Sequence, residues 1–214
     1  MTDFVTKGRQ NRREAAAQER RLAILEAALE EFAEKGFSGA RLDDVAARAG
    51  VAKGTIYLVC KDKSDLLQQV VLGKLSPLLE RLSQPPMPSM STPDQFRALI
   101  RFFKAEVLGT NRKLVAQIVM KEASRFPEIA EFYHREVVGK LLAFIGAAAE
   151  RARREGYLRS DAYARFPQLM ITPLLFALLW DANFSRFAPL DAEGLLAAHF
   201  EALFGEPLHK ETQK

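Results

Sequence analysis

The chain has 214 residues, 48% of them hydrophobic and 27% charged, enough for one large domain or, as expected here, for a small module joined to a larger one. The net charge of +4 neither demands nor excludes a nucleic-acid partner, but six basic against three acidic residues from Met1 to Arg21 place most of the excess there. A single cysteine, Cys60, excludes an intramolecular disulfide, and His134, His199 and His209 are too widely spaced to make a zinc-ligand pattern, so neither a metal nor another cofactor is expected.

The N-terminus lacks the apolar stretch of a signal peptide. The most hydrophobic window, Leu169 to Trp180, is shorter than the ~20 residues a membrane span requires. A cytoplasmic protein without a membrane partner is the expectation.

A basic arm, residues 1–20, comes first. Leu22, Leu25, Leu29 and Phe32 then recur at steps of three and four, one face of a helix that should end near Gly36. Leu42, Val45, Ala46 and Ala49 repeat the period and are closed by Gly50. A third helix should begin near Ala52, and a fourth at Lys63, carrying Leu66, Leu67, Val70, Val71 and Leu75 toward Pro77. The stretch from Ser83 to Pro93 holds four prolines and none of the apolar repeat, so a loop is expected.

Helical patterns follow at roughly Asp94–Leu108, Arg112–Arg125, Pro127–Glu155, Asp161–Phe184 and Asp191–Phe204. Pro127 suits a first turn. Ser160-Asp161 and Asp191 offer N-caps, and Gly156 and Gly205 offer stops. No segment alternates with the period of a strand. The fold class expected is all-α, about nine helices: a three-helix N-terminal domain over 21–66 and a C-terminal helical bundle over 67–214.

Two short helices joined by a tight glycine turn form a helix-turn-helix, whose second helix lies in the DNA major groove. Asp43 to Ala49, Gly50-Val51 and Ala52 to Tyr57 supply those parts in order, with Gly50 turning through positive φ. At this point the residues carry a family resemblance. The segment from Arg21 to Leu67, with Ala27-Ala28, Phe32, Gly36-Phe37, Asp44-Val45-Ala46, Ala49-Gly50-Val51, Gly54-Thr55-Ile56-Tyr57, Lys63 and Leu66, resembles the DNA-binding domain of the tetracycline-repressor (TetR) family. The later chain is similar only in layout and in features such as Glu122, Arg125 to Glu128 and the Trp180 region.

The resemblance implies a DNA-binding bundle attached to a helical ligand-binding and dimerisation domain. Lys53 and Thr55 would reach base edges or phosphates. Gly54 costs about 1 kcal/mol against alanine in a helix, which close approach to DNA would explain. Tyr57 would give its hydroxyl to a phosphate, against the alternative of a core aromatic. Lys63, beside the free N–H groups of a helix N-terminus, would take a phosphate, as would Arg41. The segment from Lys7 to Arg13 would follow the DNA backbone or the minor groove, or be a solubilising tail. Ala52 lacks a capping hydroxyl, and Val59 cannot donate to a phosphate. Cys60 is either a buried structural thiol or a sensor whose pKa Lys61 and Lys63 would lower.

In the second part, Phe103, Val107, Ile118, Glu122, Phe126, Tyr133, Val137, Leu141, Met170 and Trp180 are the candidate walls of a cavity for a small hydrophobic or amphipathic effector. Phe96, Phe102, Phe144 and Phe176 extend that set, and His134 and Asp181 are further polar candidates. Leu169, Leu175, Leu178, Leu179, Leu195, Leu196, Phe200 and Leu203 offer apolar surface for a homodimer through the last two helices. The expected function is a ligand-responsive transcriptional regulator, a repressor released from a palindromic double-stranded DNA operator. The alternative is a helical ligand-binding or scaffold protein that has lost specific DNA binding. An enzyme is not expected, since no phosphate loop or nucleophile elbow is present.

Overall fold

Strong helix formers fill the segment from Glu14 to Arg21, and helix α1 runs from Thr2 to Gly39 instead of beginning at Leu22 behind an arm. The computed structural model describes residues 2–83 and 90–204, with side chains from residue 11 onward. The side chains of Lys7 and Arg9, the prolines Pro85, Pro86 and Pro88, Gly205 and His209 lie outside the described residues. Along α1 the buried stripe is Ile24, Leu25, Ala28, Leu29 and Phe32, while Leu22 is exposed.

At Gly36 the chain leaves helical geometry with φ 71°, a region that glycine enters without the Cβ penalty. The break turns Phe37 inward, where its ring lies 5.8 Å from Phe32 and 4.8 Å from Phe126. The Phe37 N–H donates to Glu122 Oε1 at 3.2 Å. Helix α2 spans Leu42–Arg48 and is tied to α1 by charge: Arg48 pairs with Glu30, Glu31 and Glu34, and Lys35 bridges Glu31 and Asp44. Glu31 is almost fully buried, so its carboxylate needs both cations.

The end of α2 is a Schellman motif, with Gly50 at φ 66°. Its N–H donates to the Ala47 carbonyl and the Val51 N–H to the Ala46 carbonyl. Helix α3, Lys53–Ile56, follows, then α4, Lys63–Leu82. Pro77 lies inside α4 and does not stop it. The hydrogen bond that proline forfeits is outweighed by burial of Leu75 and Leu78 on either side of it.

The remaining helices are α5 (Thr92–Phe103), α6 (Arg112–Glu122), α7 (Pro127–Tyr133), α8 (Gly139–Arg154), α9 (Ala162–Arg165), α10 (Gln168–Asn183) and α11 (Ala192–Leu203). Single π-helical turns, Lys104–Leu108 and His134–Val138, continue α5 and join α7 to α8. Among the described residues there are thus eleven α-helices where about nine are expected. One of the two extra helices arises where a π-helical turn divides the expected Pro127–Glu155 segment into α7 and α8, and the other where Phe166, pushed from helical geometry by the proline after it, sits at φ −130° and ψ 76° and separates α9 from α10. Among the described residues, β-pairing is limited to one isolated bridge, Leu158 with Phe204, and the fold is all-α.

Caps fall largely where the sequence puts them. Asp191 accepts from the Gly194 N–H at 2.9 Å, and Gly156 ends α8 at φ 77° in a second Schellman motif. Asp161 makes no capping bond; Ser160 Oγ accepts from the Ala162 N–H instead. Helix α5 starts at Thr92, two residues early, because Ser91 caps it by accepting from the Asp94 N–H.

The chain packs as two units: one through Lys74 together with Ile118–Phe132, the other Leu75–Gln117 with Tyr133 onward. This differs from a division at residue 66. Leu66, Leu67, Val70 and Val71 of α4 are buried with the first unit, and Ile118–Phe132 supplies it with Glu122 and Phe126. The second unit has a core of Phe96, Ala148, Ala152, Phe200, Leu203 and Phe204.

Gly36 and Gly50 share a left-handed backbone but differ in space. A Cβ at Gly50 meets nothing within 4 Å, whereas one at Gly36 lies 2.8 Å from Glu122 Oε1, which cannot retreat without releasing the Phe37 N–H. Urea unfolding should therefore show Gly50→Ala costing about 1 kcal/mol and Gly36→Ala about twice that or more; equal losses would contradict the role given to Glu122.

Candidate nucleic-acid interface and ligand cavity

Helix α3 has four residues and no side-chain cap at Ala52. Its inner face is fixed by Ile56, which is buried, while Lys53, Gly54, Tyr57 and Leu58 face solvent and Thr55 is half-buried. Lys53 Nζ meets Asp43 Oδ2 of α2 at 2.8 Å, which sets the lysine's direction at the start of α3. Arg41, exposed, immediately precedes α2. Tyr57 is 53% exposed, which sets aside the core-aromatic alternative. Leu58, 86% exposed, belongs to the same surface and was not among the expected contacts. Its only sequence signal is an apolar residue next to Tyr57 at a position that α3 does not bury.

In the second unit, helices α5, α8, α10 and α11 enclose a cleft of about 510 Å3, part of it open to solvent. Of the ten expected wall residues, Phe103 and Met170 line it. The others do not. Ile118, Glu122 and Phe126 belong to the first unit, and Glu122 is the acceptor for Phe37. Val107 and Val137 are buried, Leu141 and Tyr133 half-buried, all away from the cleft. Burial pushes the Tyr133 hydroxyl up to about 12. Trp180 stacks between Phe176 and Phe184 and donates to the Ala188 carbonyl at 2.6 Å. Asp181 holds Lys113 and Gln117 of α6.

Most of the rest of the lining comes from one stripe on each of two helices, Phe96, Leu99 and Ile100 on α5 and Leu196, His199, Phe200 and Leu203 on α11, and Ile145 of α8 with Ile171 and Leu174 of α10 completes it. His199 is the one polar side chain in the lining. Its place within the apolar spacing Leu196, His199, Phe200, Leu203 is the sequence signal that marks an inward position. Its pKa lies below the ordinary value because burial disfavours the charged ring, a hydrogen bond to the Leu169 carbonyl acting the other way.

Residues 24–70 match the model of the bacterial regulatory proteins of the tetR family. The similarity is to the N-terminal domain of that family. Over 192 residues, 90% of each protein, the chain is 27% identical to the HTH-type transcriptional regulator UidR of Escherichia coli (strain K12). It is 28% identical over 104 residues to the fatty acid metabolism regulator protein of Bacillus subtilis (strain 168), a match that spans 48% of this chain and 54% of that one. The crystal structure of FadR from Bacillus subtilis in complex with stearoyl-CoA superposes with a TM-score of 0.70 at 21% identity, over 85% of this chain and 98% of the other. That likeness establishes a shared fold.

Two expectations that the resemblance implies change in this unit. Lys63, expected on a phosphate, donates to the carbonyls of Ser38 and Ala40 at 3.0 and 3.1 Å and lies 4.9 Å from the centre of the Phe37 ring. At the N-terminus of α4 the Asp65 N–H is already bonded within the chain. Asp62 Oδ1 accepts from the Asp65 N–H, and Asp65 Oδ2 from the Lys61 N–H, a reciprocal capping arrangement. Hydrogen bonding from Lys61 accordingly holds the Asp65 carboxyl below its usual range. Cys60 resolves toward the structural alternative: it is buried, and burial, with Asp65 and Asp62 nearby, pushes its thiol up to about 11. The expected lowering by Lys61 and Lys63 does not occur.

Lys63 therefore ties α4 to the turn after α1, whereas Lys53 only pairs at the surface. In thermal melts Lys63→Ala should lower the midpoint by roughly 3–6 °C, and Lys53→Ala should leave it unchanged. An unaltered midpoint for Lys63→Ala would return that lysine to a purely external role.

Proposed function

We propose that the protein is a ligand-responsive, DNA-binding transcriptional regulator, a repressor whose two recognition helices read a palindromic operator and which a small hydrophobic or amphipathic effector releases. The observation that carries this reading is Gly54. A glycine inside a helix costs about 1 kcal/mol relative to alanine, and nothing in the fold asks for it: φ at Gly54 is not positive and a Cβ there meets no atom within 4 Å. The space a side chain would fill is on the exposed surface beside Lys53 and Tyr57, where a DNA backbone or base edge approaches. Lys53, Thr55 and Leu58 are the contacts that would discriminate bases, Leu58 by apolar contact such as a thymine methyl accepts. Arg41 and Tyr57 are phosphate contacts.

Dimerisation through the last two helices is supported by α10. Leu169, Leu175, Phe176 and Leu179 lie on one stripe of it and are 40–45% exposed, a concentration of apolar surface that a monomer of this size rarely leaves open. Leu178, Leu196, Phe200 and Leu203 are buried within the second unit, so the proposed interface rests on α10 with Leu195 at its border. A twofold pair suits half-sites about 34–36 Å apart. The effector site is the cleft among α5, α8, α10 and α11, and effector and DNA must favour different conformations for release to occur.

Gly54→Ala separates folding from function. Urea unfolding should show a gain of up to about 1 kcal/mol, while gel shifts on the DNA beside the gene should show weaker binding. A variant that is more stable and binds as tightly as the parent would remove the main support for a DNA interface at α3. For the interface on α10, the double variant Leu175→Asp, Leu179→Asp should sediment as the 24.0 kDa monomer where the parent sediments as a dimer; a monomeric parent at micromolar concentration would defeat the dimer.

A further inference from the structure

Helix α1 is longer than the bundle it belongs to. Its first buried side chain among the described residues is Ile24, and from Asn11 to Ala23 every side chain is exposed except the half-buried Ala16. At the rise of an α-helix the stretch from Thr2 to Ala23 is about 33 Å long, close to one turn of a DNA duplex. The exposed part carries Arg12, Arg13, Arg20 and Arg21 against Glu14 and Glu19, and the helical period sorts them by sign. Arg13 and Arg20, two turns apart, share one line along the helix, Arg12 and Arg21 flank that line on either side, and both glutamates fall on the opposite half. The next member of the line is Ala27, which is buried, so the basic row runs along the side of α1 on which the bundle packs. None of the four arginines has an ion-pair partner among the described residues, whereas Arg48 of α2 meets three glutamates. Arg21 acts through space on Asp65, which sets this part of α1 near the start of α4, the helix that follows Tyr57 and Leu58.

We propose that the exposed length of α1 is a second DNA-contacting element, whose arginine row lies on the phosphate backbone flanking the site that α3 reads and adds affinity without sequence preference. This rests on the DNA-binding reading above and extends it from α3 to a surface of α1. Three physical arguments select the partner and the mode. A helix is about 10–12 Å across with its side chains, and the minor groove is about 6 Å wide, so a continuous helix excludes the minor-groove entry open to an extended arm and leaves the phosphates, which a guanidinium meets in a bidentate fashion. A helical segment without a buried face is marginal by itself, and four unpaired cations along it repel one another; a row of phosphates removes that repulsion. A protein partner would need large apolar or aromatic anchors, and between Asn11 and Ala23 the one large apolar side chain is Leu22.

The test titrates the full chain, over a range of salt concentrations, onto two duplexes of equal length: the DNA beside the gene and a random sequence. In the variant with Arg12, Arg13, Arg20 and Arg21 all replaced by glutamine, the slope of log affinity against log salt should become shallower by about 0.9 for each arginine that meets a phosphate, roughly 2–4 in all. Both duplexes should lose affinity by the same factor, and the ratio between them should stay as in the parent. All four side chains are exposed, so thermal melts of this variant should match the parent. Ala15→Pro, which interrupts the exposed helix and keeps every charge, should also weaken binding to both duplexes. An unchanged salt slope in the glutamine variant, a loss confined to the DNA beside the gene, or an Ala15→Pro protein that binds as tightly as the parent would each overturn the proposal. The two readings fail separately: a parent that binds the two duplexes alike defeats the specific regulator, a parent that prefers one of them with a slope untouched by the glutamines defeats the contact by α1 alone, and a parent that binds neither defeats both.

Discussion

Helix α1 cannot bury both Phe32 and Phe37 without breaking at Gly36, and the backbone released by that break has to be satisfied by other parts of the chain. The Phe37 N–H goes to Glu122 on α6, and the carbonyls of Ser38 and Ala40 go to the ammonium of Lys63 on α4. Five residues of turn thus call on two other helices. The consequences reach the first unit's whole arrangement, since the same turn leads into α2, and α2 with its glycine stop leads into α3. Unpaired buried backbone groups are costly, so a carboxylate and an ammonium at these two positions act first as parts of the fold. Glu122 is hydrophilic and buried, and its Oε1 is accounted for by the Phe37 N–H, while Oε2 is buried without a partner.

Against that background the exposed face of α3 reads differently from the rest of the first unit. Gly50 and Gly36 are explained by positive φ, Ile56 by burial, and Lys63 by two carbonyls. Gly54 has none of these explanations, and neither do the exposed Tyr57 and Leu58. Residues that weaken a helix or expose apolar area without an internal return are where an external partner has to be sought. Ala52, which caps nothing, and the four-residue length of α3 add to a helix held in place by its neighbours more than by its own propensity.

Much of this was legible in the sequence because it depends on local rules. Periodicity located the helices, Gly50, Gly156 and Asp191 marked ends that follow from backbone chemistry alone, and the ordered run from Ala27 to Leu66 carried the family. The failures share a cause. The apolar repeat of α4 is followed in the sequence only toward Pro77, since a proline's local cost is visible there, whereas the burial of Leu75 and Leu78 that outweighs it is tertiary. Glu122 and Lys63 were given ligands and phosphates because their internal partners lie 85 and 25 residues away in sequence. The aromatic residues at 126 and 180 were placed in a cavity by size alone, though Phe126 packs on Phe37 and Trp180 on Phe176 and Phe184. A large apolar side chain announces burial, not the identity of what it is buried against.

His199 shows the converse, a residue whose importance comes from its surroundings being so uniform. In a lining with several donors and acceptors, one more imidazole would add little selectivity, because a mismatched ligand could rotate to another partner or bring water with it. In a wall of phenylalanine, leucine, isoleucine and methionine there is no second partner within the lining. The energetic difference between a ligand that pairs with the imidazole and one that does not is then concentrated in a single bond, and sites of this kind reject analogues lacking the matching group more strongly than apolar pockets reject a change of size. The bulk of the affinity would come from apolar area, which is indifferent to the detailed shape of a flexible chain. Breadth in the body of the ligand and strictness at its head group are therefore compatible in one cleft, and both follow from an apolar stripe on α11 interrupted once.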